Sequence, residues 1–285
     1  MSTLRFLKGH GTENDFVIVP DADGALDLSA AQVAALCDRR AGIGADGVLR
    51  VVRSAKDPAA AHMAAEAEWF MDYRNADGSI AEMCGNGTRV FARYLVAAGE
   101  AAPGTFKIAT RGGIKTMQVP ADGGDVTVDM GVAKLPGSDG IEVTLPDGTT
   151  RPAVNVNMGN PHAVVFVDDL DEAGNLFTAP PVAPAAAYPE GVNVEFVVDR
   201  APGHVAMRVH ERGSGETRSC GTGACAVMVA TARRDGAALP ATYTVDVPGG
   251  RLVITEHADG RIEMTGPARI VAEGEVDLGE LTLRS

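Results

Sequence analysis

The chain has 285 residues, of which 45% are apolar and 22% charged, and a formal net charge of −13. These are the proportions of a globular protein with a sizeable core, and roughly 150 residues per domain suggests two domains. The negative charge is spread along the chain without a Lys/Arg cluster, which argues against nucleic acid and against an anionic membrane surface as partners.

The start, MSTLRFLKGHGTEND, reaches glycine and charge too early for a signal-peptide core, and the longest apolar run, ACAVMVATA at 224–232, is too short to span a bilayer. A cytoplasmic location is expected. Four cysteines, at 37, 84, 220 and 225, are too few and too scattered for a disulfide framework, so reduced thiols are expected.

Residues 4–19 read as a strand, a polar turn GHGTEND and a second strand FVIV. SAAQVAALCDRR follows as a helix with Ser29 at its N-cap, apolar spacing through Val33, Leu36 and Cys37, and basic residues in its last turn. GIGADG turns into a strand at 48–53. DPAAAHMAAEAE reads equally as helix or alanine-rich loop, and WFMDYRN reads as a strand entering an ADGS turn. Beyond Cys84, apolar residues at 90, 91, 94, 95 and 98 have helical spacing, with Gly99 as the stop. Residues 105–156 alternate as short strands. ACAVMVATARRDG is apolar nearly all round and reads as a helix buried between sheets, and 242–285 returns to strands.

The two halves echo one another. NDFVIV resembles NPHAVVFV, GADGVLRVVR resembles GVNVEFVVDR, and MCGNG resembles SCGTG, in the same order with offsets of 146, 147 and 136 residues. One repeat of this length indicates duplicated domains rather than a solenoid. Each half is expected to be α+β, a mostly antiparallel sheet around a central helix, with residues 1–124 plus 268–285 forming one domain and 125–267 the other.

A cysteine at a helix start feels the positive end of the helix dipole, which favours thiolate and is expected to draw its pKa from about 8.5 toward neutrality. The adjoining glycines let backbone N–H groups converge on a carboxylate. Two such thiols meeting at one carbon from opposite faces would suit inversion of a stereocentre, one sulfur removing the α-proton and the other delivering one. No pyridoxal or metal motif is recognisable: paired His and CxxC spacings are absent, and GIGADG lacks dinucleotide-loop spacing and leads into a strand. Cofactor-free chemistry is expected.

HGTENDF, GIGADG, NADGS, MCGNG, MGNPH, GVNVEF and ERGSGETRSCGTGACA, in this order, resemble the diaminopimelate epimerase family over most of the chain. The resemblance implies two pseudo-symmetric domains with the site in their cleft, the C-terminal strand crossing back to complete the first. It implies interconversion of LL- and meso-2,6-diaminopimelate for lysine and peptidoglycan precursor synthesis. By motif, Cys84 and Cys220 would be the acid/base pair, and Gly85, Asn86, Gly221 and Thr222 would hold the reacting carboxylate. Asn14, Asn75, Asn160, Asn193, Glu211 and Arg212 would form the polar wall that reads the distal groups, with His162 and Glu211 tuning the sulfurs. A small-molecule substrate and no metal are implied, and a homodimer is consistent with the resemblance. Two positions depart from the pattern: Glu13 precedes Asn14 where relatives read GLGND, and Gly47 stands where some members carry Gln.

Cys37 and Cys225 lie on apolar helical stretches and read as core thiols; His162 alone would be a loop histidine, the four asparagines alone turn residues, and Glu211–Arg212 a solvated ion pair. A proline or hydroxyproline racemase of the same fold is the near rival, distinguished by MCGHG where this chain has MCGNG. A single-nucleophile cysteine hydrolase is the distant one, and would leave the second cysteine turn unexplained.

Overall fold

The computed structural model describes residues 3–137 and 140–281. Residues 282–285, the end of the stretch expected as strands, lie outside the described residues. The chain divides into two compact units, one reaching Val128 and resuming at Pro267, the other running from Asp129 to Gly266.

The first unit contains β1 (Thr3–Gly11), β2 (Asn14–Pro20), α1 (Ala30–Cys37), β3 (Gly47–Arg53), β4 (Trp69–Asn75), α2 (Gly85–Ala97), β5 (Gly104–Thr110) and β6 (Gly113–Val119). β7 (Val126–Val132) carries the boundary, and β18 (Arg269–Asp277) returns to pair antiparallel with β1. Hydrogen-bonded neighbours run β18, β1, β2, β3, β4, β5, β6, β7, antiparallel except for β2–β3 and β4–β5. α2 packs against β1, β2, β3, β4, β6 and β18, so the sheet curls round it. Phe16, Val17, Ile18 and Val19 are all fully buried because β2 is covered on both faces. Val17 and Val19 meet α1 through Val33 and Leu36. Phe16 lies beside α2 at Gly87. That explains the unbroken apolar run FVIV, the pattern of a strand with no solvent face.

α1 is capped as expected. Ser29 and Gln32 form a capping box. The helix nevertheless ends at Cys37, where Asp38 is extended, so Arg39 and Arg40 lie beyond it and no basic residue occupies its last turn. Arg39 instead pairs with Asp15 and Asp46 at 2.7 Å each. The alanine-rich segment forms short 3-10 turns at Ser54–Lys56 and Ala61–Met63. The β1–β2 turn is tight: Thr12 and Glu13 both have positive φ, 50° and 62°. A two-residue type I′ hairpin requires this conformation whatever occupies it.

The second unit contains β8 (Glu142–Thr144), β9 (Thr150–Asn157), β10 (Pro161–Phe166), β11 (Val182–Ala183), β12 (Asn193–Ala201), β13 (His204–Glu211), β14 (Gly215–Glu216), α3 (Gly221–Arg234), β15 (Ala241–Val247), β16 (Gly250–Glu256) and β17 (Arg261–Gly266). Its order β9, β10, β12, β13, β15, β16, β17 repeats the first unit, with parallel pairs again at β10–β12 and β13–β15. The repeat holds at residue level: Phe16 pairs with Gly47 across β2–β3, and His162 with Asn193 across β10–β12, each residue displaced by 146. α3 packs against β9, β10, β12, β13, β15, β16 and β17 and is buried on nearly every face. The outer face of β10 and β12 is covered by Val143, Leu145 and Leu176 where the first unit uses α1.

Candidate active site

Each central helix starts at a cysteine. Cys84 is the N-cap of α2, its Sγ accepting the Gly87 N–H at 3.4 Å. Cys220 is the N-cap of α3, its Sγ accepting the Gly223 N–H at 3.3 Å. Sulfur is a weak cap compared with the usual Ser, Thr, Asp or Asn, so these helix starts rely on tertiary burial. Cys84 is half-buried and Cys220 is buried, as are Gly85 and Gly221, the first residues of the two helices. All four cysteines are free thiols. Cys37 and Cys225 are buried core residues, and burial pushes the Cys37 thiol up to about 12.

In the first unit Asn14 links the loop to the sheet. Its Nδ2 donates to Asp46 Oδ2 at 2.7 Å, which turns its Oδ1 toward Cys84 Sγ at 3.5 Å and toward the Asn86 Nδ2 donor at 3.2 Å. Asn86 Oδ1 in turn accepts from Arg89 at 2.9 Å, and Arg89 also reaches Thr12 at 3.2 Å. Cys84, Asn86 and Asn14 are thus one connected group. Asn75, at the end of β4 opposite Gly47, donates to Ser79 Oγ at 3.0 Å.

In the second unit the connection to the sulfur is longer. Glu195 Oε1 lies 2.6 Å from His162 Nδ1, and His162 Nε2 lies 3.0 Å from Asn160 Oδ1. Asn160 Nδ2 donates to Thr222 Oγ1 at 3.3 Å, and Thr222 Oγ1 is 3.5 Å from Cys220 Sγ. His162 and Glu195 are fully buried. Asn193 joins the next strand, donating to the Pro161 carbonyl at 3.0 Å and accepting from the Arg212 N–H at 2.9 Å. Thr217 donates to the Glu211 carboxylate. Asn160 and Arg212 line a recess of about 230 Å³ with Tyr188, Glu190 and Gly191.

The expectation that the helix start lowers the thiol pKa does not hold for Cys220. Burial, and then the carboxylates of Glu211 and Glu195, push this thiol well above its ordinary value, outweighing the hydrogen bonds from Thr222 and Gly223. Desolvation disfavours the charged form more than one helix terminus favours it.

Among the residues of these groups not expected from the sequence are three charged ones. Asp46 orients Asn14, Arg89 is a fully buried cation on α2, and Glu195 is the head of the second-unit chain. The available signal for Glu195 was a single acid inside the apolar strand NVEFVV, a place where a carboxylate needs a partner. Among the described residues no group of three or more His, Cys, Asp or Glu is arranged to hold a metal ion, and no helix is long and apolar enough to cross a membrane.

Solved structures share this architecture. The PhzF-family phenazine biosynthesis protein of Bacillus anthracis matches with a TM-score of 0.72 at 19% identity, covering 97% of this chain and 100% of that one. A hydroxyproline epimerase from Agrobacterium vitis matches at 0.65 and 16% identity, covering 97% and 91%. The chain is therefore a two-domain α+β protein with the fold that PhzF proteins share with proline-type epimerases. Sequence relatives are more specific. The diaminopimelate epimerase of Streptomyces coelicolor is 71% identical, covering 97% of each chain, and that of Thermobifida fusca is 51% identical, covering 98% of this chain and 100% of the relative. The family model for diaminopimelate epimerase matches residues 6–136 and 154–271, and the chain belongs to that family.

Proposed function

We propose that the chain interconverts LL- and meso-2,6-diaminopimelate without a cofactor, using Cys84 and Cys220 as a thiolate/thiol pair. The observation that carries this reading is the repeated sulfur cap: each unit starts its buried helix with a cysteine whose Sγ takes the N–H three residues on. A single-nucleophile enzyme has no use for the second copy.

In the proposed reaction one sulfur, as thiolate, takes the proton from the α-carbon, and the other, as thiol, gives a proton to the opposite face. The electron pair left on carbon is held by the substrate carboxylate, which accepts N–H groups of Gly85 and Asn86 from one helix start and of Gly221 and Thr222 from the other. Turnover leaves the two sulfurs with exchanged proton states. Asn14, Asn75, Asn160, Asn193, Glu211 and Arg212 are proposed to read the distal amino and carboxylate groups, a task supported by the recess beside Asn160 and Arg212. The domain boundaries expected above are part of the same proposal. A role in lysine and peptidoglycan precursor synthesis, a cytoplasmic setting and a homodimer belong to the same reading.

The test is direct. In heavy water, purified reduced protein with LL-diaminopimelate should gain deuterium at one α-carbon and form the meso isomer, and Cys84→Ala and Cys220→Ala should each abolish isomerisation. Labelling of proline instead would favour the racemase reading, and full turnover by either alanine variant would exclude the two-thiol mechanism.

A further inference from the structure

The two cysteine loops differ in what stands behind them. With the 146-residue offset, His162 is the counterpart of Phe16 and Glu195 that of Leu49. Phe16 and Leu49 approach Gly87 of the first loop, and Glu195 approaches Gly223 of the second. Two core apolar side chains are thus replaced by a buried His–Glu pair beside Cys220. Such a pair is a costly way to fill a core, and Glu195 Oε2 has no hydrogen-bond partner among the described residues.

The asparagine amides also point in opposite senses. Asn14 turns its carbonyl to the first loop because Asp46 holds its N–H group, whereas Asn160 turns its N–H group to Thr222 and its carbonyl to His162. We infer that Glu195 is a positioning residue for Cys220: through His162 it sets which end of the Asn160 amide faces Thr222, and hence whether Thr222 offers the sulfur a hydroxyl hydrogen or a lone pair. The inference rests on the two-thiol reading and deepens it.

Two complete hydrogen-bond arrangements satisfy these heavy-atom positions. In the first, His162 Nε2–H donates to Asn160 Oδ1, Asn160 Nδ2–H to Thr222 Oγ1, and the Thr222 hydroxyl to a Cys220 thiolate, while one further proton lies between His162 Nδ1 and Glu195. In the second, Cys220 Sγ–H donates to Thr222, the Thr222 hydroxyl to a flipped Asn160 Oδ1, Asn160 Nδ2–H to a bare His162 Nε2, and His162 Nδ1–H to the Glu195 carboxylate. The two differ by one proton, held by the His162–Glu195 pair in the first and by sulfur in the second, and net charge is unchanged. Solvent water carries that proton, since an amide rotates but does not relay one. Cys84 faces a fixed acceptor in Asn14, whereas Cys220 has a partner able to serve it in either state.

The groups facing Cys220 are Glu195 on β12, His162 on β10 through Asn160 and Thr222, Glu211 at the end of β13 and the Gly223 N–H on α3. The experiment follows the His162 ring nitrogens by 15N NMR in the wild-type protein across pH, beside the rate of Cys220 alkylation by iodoacetamide read by peptide mass spectrometry. Because the two arrangements hold the same number of protons, pH does not choose between them; expected, below the Cys220 transition, is the second one, with His162 Nδ1 protonated and Nε2 bare. In Glu195→Gln the Cys220 midpoint should fall by about one pH unit, as on loss of a neighbouring like charge. A sizeable fraction of that variant should carry the His162 proton on Nε2 instead, and kcat should fall about ten-fold, part of a proton-transfer contribution, with KM little changed. A His162 Nε2 that carries the proton while Cys220 is a thiol, or an unmoved midpoint in Glu195→Gln, overturns the inference. Should that variant not fold, the wild-type His162 tautomer decides alone. Wild-type protein that shows the expected tautomer but does not isomerise diaminopimelate refutes the catalytic reading and not the hydrogen-bond coupling.

Discussion

Glu195 Oε1 lies 2.8 Å from the point where a β-carbon on Gly223 would stand. The same point is 3.2 Å from Cys220 Sγ, so Gly223 keeps a carboxylate and a thiol close together. Gly223→Ala should displace Glu195 and cost about 1–3 kcal/mol, the usual penalty for overpacking, with loss of most turnover. Gly87→Ala in the first loop meets Leu49 at 3.3 Å, the Cys84 β-carbon at 3.4 Å and Phe16 at 3.5 Å, all more distant than the Glu195 contact. It should be much milder, helped by the better helix propensity of alanine. Thermal unfolding and steady-state rates of the two variants check the contrast; equal losses would contradict it.

Burial and the carboxylates of Glu211 and Glu195 raise the Cys220 thiol. A raised thiol keeps its proton in the folded state where the unfolded chain releases it. The stability it confers is therefore complete below the unfolded value of about 8.5 and is lost as pH rises beyond it. Stability measured by denaturant between pH 8 and 10 should decline less steeply in Cys220→Ala than in the wild type. Independently, Glu211→Gln removes a negative charge and should move Cys220 alkylation to lower pH.

Asp46 Oδ2 holds Asn14 at 2.7 Å and thereby aims the Asn14 carbonyl at Cys84. In Asp46→Ala that amide loses its anchor and is held through Oδ1 by Asn86 and Cys84. Turnover should drop about ten-fold, a share of what a well-placed acid/base group contributes, while the circular dichroism spectrum is retained. Wild-type rates in this variant would show that Asn14 needs no such restraint.

Burial alone would raise the Asp15 carboxyl, but hydrogen bonds from Arg39 and Lys8 more than offset it and bring it to about 2. A lowered carboxyl stabilises the fold above the unfolded value of about 3.9, and that contribution, about 2 kcal/mol, disappears as pH falls toward 2. Asp15→Asn should therefore flatten the acid limb of the stability curve. An unchanged limb would assign acid sensitivity to other carboxylates.

The sequence made the duplicated elements legible because the echoed segments are the ones buried on both faces. FVIV and AVVF each lie between a helix and a second covering layer, so their apolar runs survive in both halves. The helix starts were legible too, since MCGNG and SCGTG carry the cap and the loop glycines in one string. Glu195 was not, because its partner His162 is thirty-three residues away and meets it only through the parallel β10–β12 pairing. The Cys220 environment was missed for a related reason: helix polarity is a local property of sequence, whereas the burial that chiefly overrules it is set by packing, and the Glu195 carboxylate comes from a separate strand. The end of α1 was overrun because Arg39 and Arg40 suit a helix C-terminus, yet Asp38 leaves helical geometry and Arg39 serves Asp15 and Asp46.

Residues 3–10 of β1 lie between β2 and a strand, 269–277, that is separated from them by the whole of the second unit. On a ribosome the second unit can close on itself while the first still exposes an unpaired edge. The first unit is therefore expected to close last, β1 acquiring its second neighbour only after the whole of the second unit has emerged.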